Sequence, residues 1–188
     1  MKCKPTFIPE HYKMDEPISP QGKAIFNDFV QIGVVVRDIE RSMKILREVF
    51  GIGPFRVLNL PHPDRADQQY YQGQKIRYKT IQAFAQLGAM ELELIQPIEG
   101  KTIWSDFLDQ HGPGIHHLRC NVPELGPALE LTKQHGIGIT QQGAGVREGT
   151  TWVNFDTEKL IGFTMEIMNV AAGTNGRTYG VPANDPTK

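Results

Sequence analysis

The chain has 188 residues, of which 39% are hydrophobic and 22% are charged, and its formal net charge is −1. A chain of this length fits a single domain. The balanced charge argues against a nucleic-acid-binding protein, which usually carries a basic excess. No apolar run approaches the ~20 residues that a membrane-spanning helix needs, and the N-terminus lacks the apolar core of a secretory signal. We therefore expect a cytoplasmic protein with neither a nucleic acid nor a membrane as its partner.

The N-terminal and C-terminal segments of the chain show no helix or strand periodicity, and the chain has two cysteines. Residues 1–28 are rich in proline without sustained periodicity, which predicts an extended N-terminal arm. Residues 171–188 have the Gly, Asn and Pro content of a loop-like C-terminal tail. Cys3 and Cys120 are too few for a disulfide framework, so both are expected to be reduced thiols.

The periodic part of the chain begins with a strand over residues 29–36, which are rich in β-branched side chains. Asp38 stands where a helix N-cap is expected, and apolar residues then recur at helical spacing until Gly51. Three further strands are predicted over residues 56–58, 76–85 and 90–96. A separate helix is predicted over residues 103–110.

The same order of elements recurs in the second half. A strand ends at Val122, Pro123 allows a helix to begin, and Gly136 ends that helix. Strands over residues 137–141, 151–155 and 163–168 follow. When Val36 is aligned with Val122, the apolar helix positions also coincide. An internal repeat predicts architecture more strongly than a single motif, although two strand–helix units can also be alike by chance.

The repeat therefore predicts an α+β fold of two tandem βαβββ modules. We expect a single domain over residues 29–170. Its parts are module one over 29–98, a linker with a helix over 99–114, and module two over 115–170.

Polar residues interrupt the predicted strands on one face only. Side chains alternate across a strand, so one face of each can pack apolar residues on the helices. The opposite faces carry Gln31, Glu91 with Glu93, His117, and Glu166. Such groups are costly to bury unless they are paired, hydrated or bound to a metal. One donor from each of four strands would form a mixed nitrogen and oxygen site for a divalent ion.

Each donor also has a simpler interpretation. Gln31 or the two glutamates could be solvated sheet residues, and His117 could be a hydrogen-bonded core histidine. The joint pattern favours the metal site, because the offset that aligns the modules places Gln31 on His117. Strand alternation assigns the neighbouring His116 to packing.

Two such modules with these donors resemble the vicinal oxygen chelate superfamily. Its members include glyoxalase I, methylmalonyl-CoA epimerase, extradiol dioxygenases and bleomycin-resistance proteins. The resemblance implies a curved mixed sheet around a metal site, with Gln31, Glu93, His117 and Glu166 as metal ligands. It also implies a zinc, cobalt, nickel, manganese or iron ion, a small-molecule substrate and a homodimer.

Within the superfamily, the run ELELIQPIEGKTIWSDFLDQHGPGIHHLRCNV resembles methylmalonyl-CoA epimerases. Those epimerases usually have His at the first ligand position, where this chain has Gln31. The set of Gln, Glu, His and Glu resembles the zinc site of eukaryotic-type glyoxalase I instead.

The resemblance implies a metal-dependent isomerase or epimerase that acts through a metal-stabilised enolate on a 2-acyl thioester or a related carboxylic acid. Glu166 and Glu93 are the candidate catalytic residues, and Glu91 is a further candidate base. The alternatives are a glyoxalase I-type lyase acting on a glutathione hemithioacetal and a non-enzymatic protein that sequesters a ligand. A ring-cleaving dioxygenase fits less well, because its iron usually has two histidines and one carboxylate.

Overall fold

The computed structural model describes residues 25–170, so most of the predicted arm, the whole predicted tail and Cys3 lie outside the described residues. The α-helices of this part are α1 (Ile39–Phe50), α2 (Ile103–His111), α3 (Leu125–Gln134) and α4 (Glu158–Ile161). The strands are β1 (Asp28–Val35), β2 (Arg56–Leu60), β3 (Gln69–Tyr71), β4 (Gln74–Lys75), β5 (Lys79–Leu87), β6 (Met90–Glu99), β7 (Gly114–Val122), β8 (Ile139–Ala144), β9 (Thr151–Phe155) and β10 (Thr164–Asn169).

All of these strands belong to one 10-stranded sheet with the order β2-β5-β6-β1-β7-β10-β9-β8-β3-β4. β1 runs parallel to β6 and antiparallel to β7, and β10 runs parallel to β7. The two halves of the chain therefore meet along β1 and β7, the first strand of each repeat. The predicted α+β fold with a curved mixed sheet is confirmed. The module boundaries stay a prediction.

Local sequence explains where α1 begins and ends. The Asp38 carboxylate accepts a hydrogen bond from Arg41 N at 2.9 Å, as an N-cap does. Gly51 ends the helix in the left-handed conformation, with φ at 68°. In the second repeat, α3 begins two residues after Pro123.

The apolar faces of the strands pack on the helices that follow them. Val36, Leu92 and Leu94 form one buried cluster with Ile39 of α1, and the half-buried Met43 of α1 packs against it. A second cluster joins residues of β7, β9 and β10 to α3, with Val122, Val153, Phe155, Ile167 and Ala128 as its buried members. Each repeat thus buries one face of its strands, which leaves the opposite face to line the concave side of the sheet.

A third cluster involves the linker helix. Trp104 of α2 is buried with Val35, Tyr78 and Ile95. Val35 and Ile95 share their strand faces with Gln31 and Glu93, so α2 covers one end of the concave side. None of the helices within residues 25–170 is long and apolar enough to cross a membrane.

The β3–β4 hairpin is a feature that the sequence did not predict. It lies between β2 and β5 in the chain, yet β3 pairs with β8 in the other half of the molecule. Its turn residues Gln72 and Gly73 both have positive φ, 49° and 75°, as a two-residue hairpin turn requires. Strands of three and two residues are too short to show alternation. The hairpin also explains why the strand predicted from residue 76 begins at Lys79.

Candidate active site

One row of polar side chains crosses the concave side of the sheet. In the strand registers, Gln31 lies beside Glu91 and Arg119, and Arg119 lies beside Glu166. Asn154 of β9 continues the row next to Glu166. Every member of this row is at most 5% exposed. The fold therefore brings polar groups from five strands together in the interior.

The His117 imidazole is the centre of this group. It projects from β7, and its Nε2 lies 3.2 Å from Glu93 Oε2 and 3.8 Å from Glu166 Oε2. The same nitrogen lies 3.4 Å from Gln31 Oε1. The structure thus brings all four predicted ligands together at one nitrogen atom. They come from β1, β6, β7 and β10, the strands that the sequence indicated.

Gly33 makes room for the His117 ring. The two residues are register partners on β1 and β7. A Cβ atom added at Gly33 would lie 2.0 Å from His117 Cε1 and 2.3 Å from Nε2. Real Cβ contacts are not this short, so any side chain at position 33 has to displace the ring. Gly33 is therefore needed for space, since the backbone here is an ordinary strand.

We expect Gly33→Ala to disrupt the site while keeping the sheet. The added methyl group moves the imidazole away from the carboxylates, and disturbing the position of a metal ligand typically lowers metal affinity by about 10- to 100-fold. Zinc titration of the purified variant measures the loss of metal affinity. Circular dichroism checks that the sheet is preserved. Gly126→Ala is the matched control, because no atom lies within 4 Å of a Cβ there. An unchanged zinc affinity in Gly33→Ala would contradict this role for Gly33.

Glu91 has a different environment from Glu93, although the two share a strand face. Glu91 Oε1 accepts a hydrogen bond from Gln31 Nε2 at 2.6 Å and lies 3.5 Å from the Arg119 guanidinium. Its side chain is 0% exposed. A carboxylate held by an amide and a guanidinium is a weak candidate for proton transfer, so the structure does not support Glu91 as a base.

Glu166 is held by Asn154. Asn154 Nδ2 donates a hydrogen bond to Glu166 Oε2 at 2.9 Å, and this is the oxygen that faces His117. The amide orients the carboxylate without adding charge. Asn154 is a residue that the sequence analysis did not select. The alternation of the predicted strand 151–155 could have found it, since Val153 and Phe155 take the apolar face.

Burial and proximity change the proton affinity of the central groups. Burial raises the pKa of Glu93, and nearby Glu166 raises it further, while His117 opposes both effects. Burial alone would lower the pKa of His117, but Glu166 and Glu93 outweigh it and raise the pKa above its usual value. In the metal-free protein, a proton is therefore stabilised at the contact between His117 and Glu93.

His116 lies beside this group and not on the α3-facing side that strand alternation predicted, because the pairing of β7 with β1 is irregular between His117 and Ile115. Its ring packs edge-on against Phe107 of α2, with ring centroids 5.1 Å apart. It therefore faces the linker helix rather than α3. Burial lowers the pKa of His116 well below its usual value, which keeps the ring neutral. Its Nδ1 lies 3.0 Å from His117 Nδ1, so it also contacts the rear of the central imidazole.

We expect His116→Ala to lower stability more than metal content. The substitution leaves a void beside Phe107, and buried large-to-small changes of this kind usually cost about 0.5–3 kcal/mol. The Nε2 atom of His117 and its three oxygen neighbours remain. Thermal unfolding and metal analysis of the variant measure the two effects. Loss of the bound metal with an unchanged melting temperature would show that the roles of the two histidines are exchanged.

The donor set fits a divalent ion in chemistry and in charge. Two atoms that bind one zinc ion at about 2.1 Å in a tetrahedral arrangement are about 3.4 Å apart, and the three contacts of His117 Nε2 are near this spacing. Within the described residues, the buried charged side chains other than histidine are Glu91, Glu93, Glu166 and Arg119. If His117 is neutral, the formal negative charge that Arg119 leaves uncompensated is balanced by one divalent cation.

The described side chains are not arranged as they would be around a bound metal ion. Within residues 25–170, no group of three or more His, Cys, Asp or Glu side chains has the geometry of a bound ion. His117 instead contacts its oxygen neighbours directly. The four ligands thus remain a prediction that the donor chemistry supports.

Solved structures with the same architecture include methylmalonyl-CoA epimerase from Mycobacterium tuberculosis, at 17% identity and a TM-score of 0.59, covering 79% of this chain and 91% of that one. Streptomyces coelicolor methylmalonyl-CoA epimerase in complex with 2-nitronate-propionyl-CoA is similar at 16% identity and a TM-score of 0.59, with 78% and 99% covered. A hypothetical protein from Bacillus halodurans has 17% identity and a TM-score of 0.58, with 78% and 96% covered. At such identities the likeness establishes the fold alone.

A comparison with curated protein sequences finds no match. A family model does match, over residues 30–155, and its description is the glyoxalase/bleomycin resistance protein/dioxygenase superfamily. The matched range extends from β1 to the end of β9 and contains Gln31, Glu93 and His117. Together with the curved sheet, this match shows that the chain belongs to the glyoxalase/bleomycin resistance protein/dioxygenase superfamily.

Proposed function

We propose that the protein is a metal-dependent isomerase or epimerase that acts through an enolate on a 2-acyl thioester or a related carboxylic acid. The observation that supports this most is the convergence of Gln31, Glu93 and Glu166 on Nε2 of His117. The set offers oxygen and imidazole donors together with carboxylates that can move a proton. The similar fold of the methylmalonyl-CoA epimerases agrees with this proposal.

Gln31, Glu93, His117 and Glu166 would hold the ion. A divalent ion bound there would act as a Lewis acid on substrate oxygen atoms, which makes the adjacent carbon-bound hydrogen more acidic. Manganese, iron, cobalt, nickel and zinc all suit such a set of oxygen and imidazole ligands.

Glu166 is the residue that we propose to remove the proton. It is 5% exposed, which keeps its carboxylate from full hydration, and Asn154 orients it through Oε2. Glu93 contacts His117 from β6, on the other side from Glu166 of β10, so it is the residue that we propose to return a proton to the opposite face of the substrate. Two carboxylates on different strands suit a reaction that removes a proton from one face and adds one to the other.

Gln31 favours a second candidate function. Glyoxalase I-type chemistry on a glutathione hemithioacetal also moves a proton next to a carbonyl, and the set of Gln, Glu, His and Glu resembles that of eukaryotic-type glyoxalase I. The two reactions share the proton-transfer step and differ in the substrate. A test of proton transfer with both substrate classes therefore separates them.

The experiment is a solvent-exchange assay in deuterated water. Protein loaded in turn with zinc, cobalt, nickel, manganese or iron(II) is incubated with methyl-branched acyl thioesters and with glutathione hemithioacetals, and mass spectrometry measures deuterium incorporation. Exchange at the α-carbon of a thioester supports the epimerase. Conversion of the hemithioacetal into a thioester supports the lyase. Absence of metal-dependent incorporation in every substrate would contradict both functions.

The affinity for zinc is expected to rise with pH. A metal ion competes with protons for its ligands, and the pKa of His117 is raised in the protein alone. Below that raised pKa, a proton has to leave before zinc binds. Affinity should therefore weaken as the pH falls, by up to about tenfold per unit for each displaced proton, and level off above the raised pKa.

Calorimetry in two buffers with different ionisation enthalpies measures the protons released. A zinc affinity that is constant between about pH 6 and 8, without proton release, would contradict the predicted ligand set.

A further inference from the structure

We propose that Glu91 is a positioning residue that determines which end of the Gln31 amide faces the metal, with Arg119 balancing its charge. This inference rests on the proposed metal site and deepens it. It concerns a contact that the fold creates between β6, β1 and β7. Gln31 lies between the other two residues in the strand registers, aligned with Glu91 of β6 on one side and with Arg119 of β7 on the other.

A glutamine ligand can bind a cation in only one of its two amide orientations, whereas both oxygens of a carboxylate can bind it. The two ends of its amide are almost equal in size, but only the oxygen can bind a cation, whereas the NH2 group is a donor. If the side-chain amide could rotate freely, its NH2 group would face the metal site in a fraction of the molecules. Gln31 is 0% exposed, so bulk water does not reach it and a neighbouring side chain can fix its orientation.

Glu91 meets that requirement. An ionised carboxylate only accepts hydrogen bonds, so it can pair with the NH2 end of Gln31 and not with the oxygen. The observed bond runs from Gln31 Nε2 to Glu91 Oε1 and is 2.6 Å long, as charge-assisted bonds are. The same orientation leaves Gln31 Oε1 on the side of His117, 3.4 Å from Nε2.

Arg119 explains how this carboxylate can be buried. Glu91 is 0% exposed, and an uncompensated charge at such a place is strongly destabilising. The Arg119 guanidinium lies 3.5 Å from Glu91 Oε1, the oxygen that accepts from Gln31. Arg119 cannot lose its proton under ordinary conditions, so its positive charge is always available to offset the carboxylate of Glu91.

Glu91→Gln tests the proposal, because a glutamine at this position has nearly the same shape but can also donate. It can then pair with either end of Gln31, and the fixed orientation is lost. Outer partners of metal ligands typically contribute about 10- to 100-fold in metal affinity. We expect a loss in that range for cobalt(II), measured by calorimetry, together with a changed visible spectrum of the bound cobalt.

Glu99→Gln is the matched control. It removes a carboxylate from the same strand, β6, but Glu99 is exposed and pairs with Lys79 at the surface. This variant should bind cobalt(II) as the unmodified protein does. Thermal unfolding of all variants monitors the fold.

A double-mutant cycle separates positioning from a general structural effect. In a Gln31→Ala background there is no amide to orient, so adding Glu91→Gln should cause little further loss of cobalt affinity. A structural role would instead give losses that add. Additive losses, or a Glu91→Gln protein with unchanged affinity and spectrum, would overturn the proposal. If the unmodified protein binds no cobalt or zinc, the metal site itself is wrong and this inference is overturned with it.

Discussion

Glu166→Gln is expected to lose most solvent exchange while it keeps part of its metal affinity. The amide has nearly the size of the carboxylate and retains an oxygen donor, so Asn154 can still donate to position 166. It cannot accept a proton from carbon. Removal of a positioned general base usually costs about 10²- to 10⁴-fold in rate, and we expect a loss of that size in deuterium incorporation.

The measurement compares exchange rates at saturating metal, so that weaker binding does not mimic lost chemistry. Glu99→Gln is again the control, since it removes an exposed carboxylate far along β6. Full exchange by metal-saturated Glu166→Gln would exclude Glu166 as the base. Glu93 would then be the first alternative, because it is the other carboxylate that contacts the same imidazole.

His117→Ala is expected to abolish stoichiometric zinc binding. The imidazole is the only nitrogen donor of the predicted set, and its Nε2 is the atom on which the three oxygen donors converge. Its loss should lower zinc affinity by more than the roughly 10- to 100-fold that an outer partner contributes.

Metal analysis of the purified variant, with circular dichroism as a check of the fold, measures this effect. His135→Ala is the matched control, because His135 is exposed at the end of α3 and its side chain is remote from the concave side. A full equivalent of zinc in folded His117→Ala would show that the ion, if present, is bound elsewhere.

The sequence alone determined the main strands and helices of both repeats and the inward-facing residues of four strands. Alternation within each strand is local, so Gln31, Glu93, His117 and Glu166 could be assigned to one side of their strands without any tertiary information. The capping by Asp38 and Gly51 is also local, which is why α1 ends where it was predicted to end. The repeat of strand and helix positions was also visible in the sequence, whereas the pairing of β1 with β7 became visible only in the structure.

Tertiary structure decided the contacts between side chains that are far apart in the chain. Glu91 and Glu93 are equivalent in the strand pattern, yet one holds Gln31 and the other contacts His117. Strand register separates them, because Glu91 is aligned with Gln31 and Glu93 with Gly33. The pairing of β3 with β8 had the same origin, since a partner so distant in sequence leaves no local periodicity. Alternation determines the face on which a residue lies, and only the register between strands determines its neighbours.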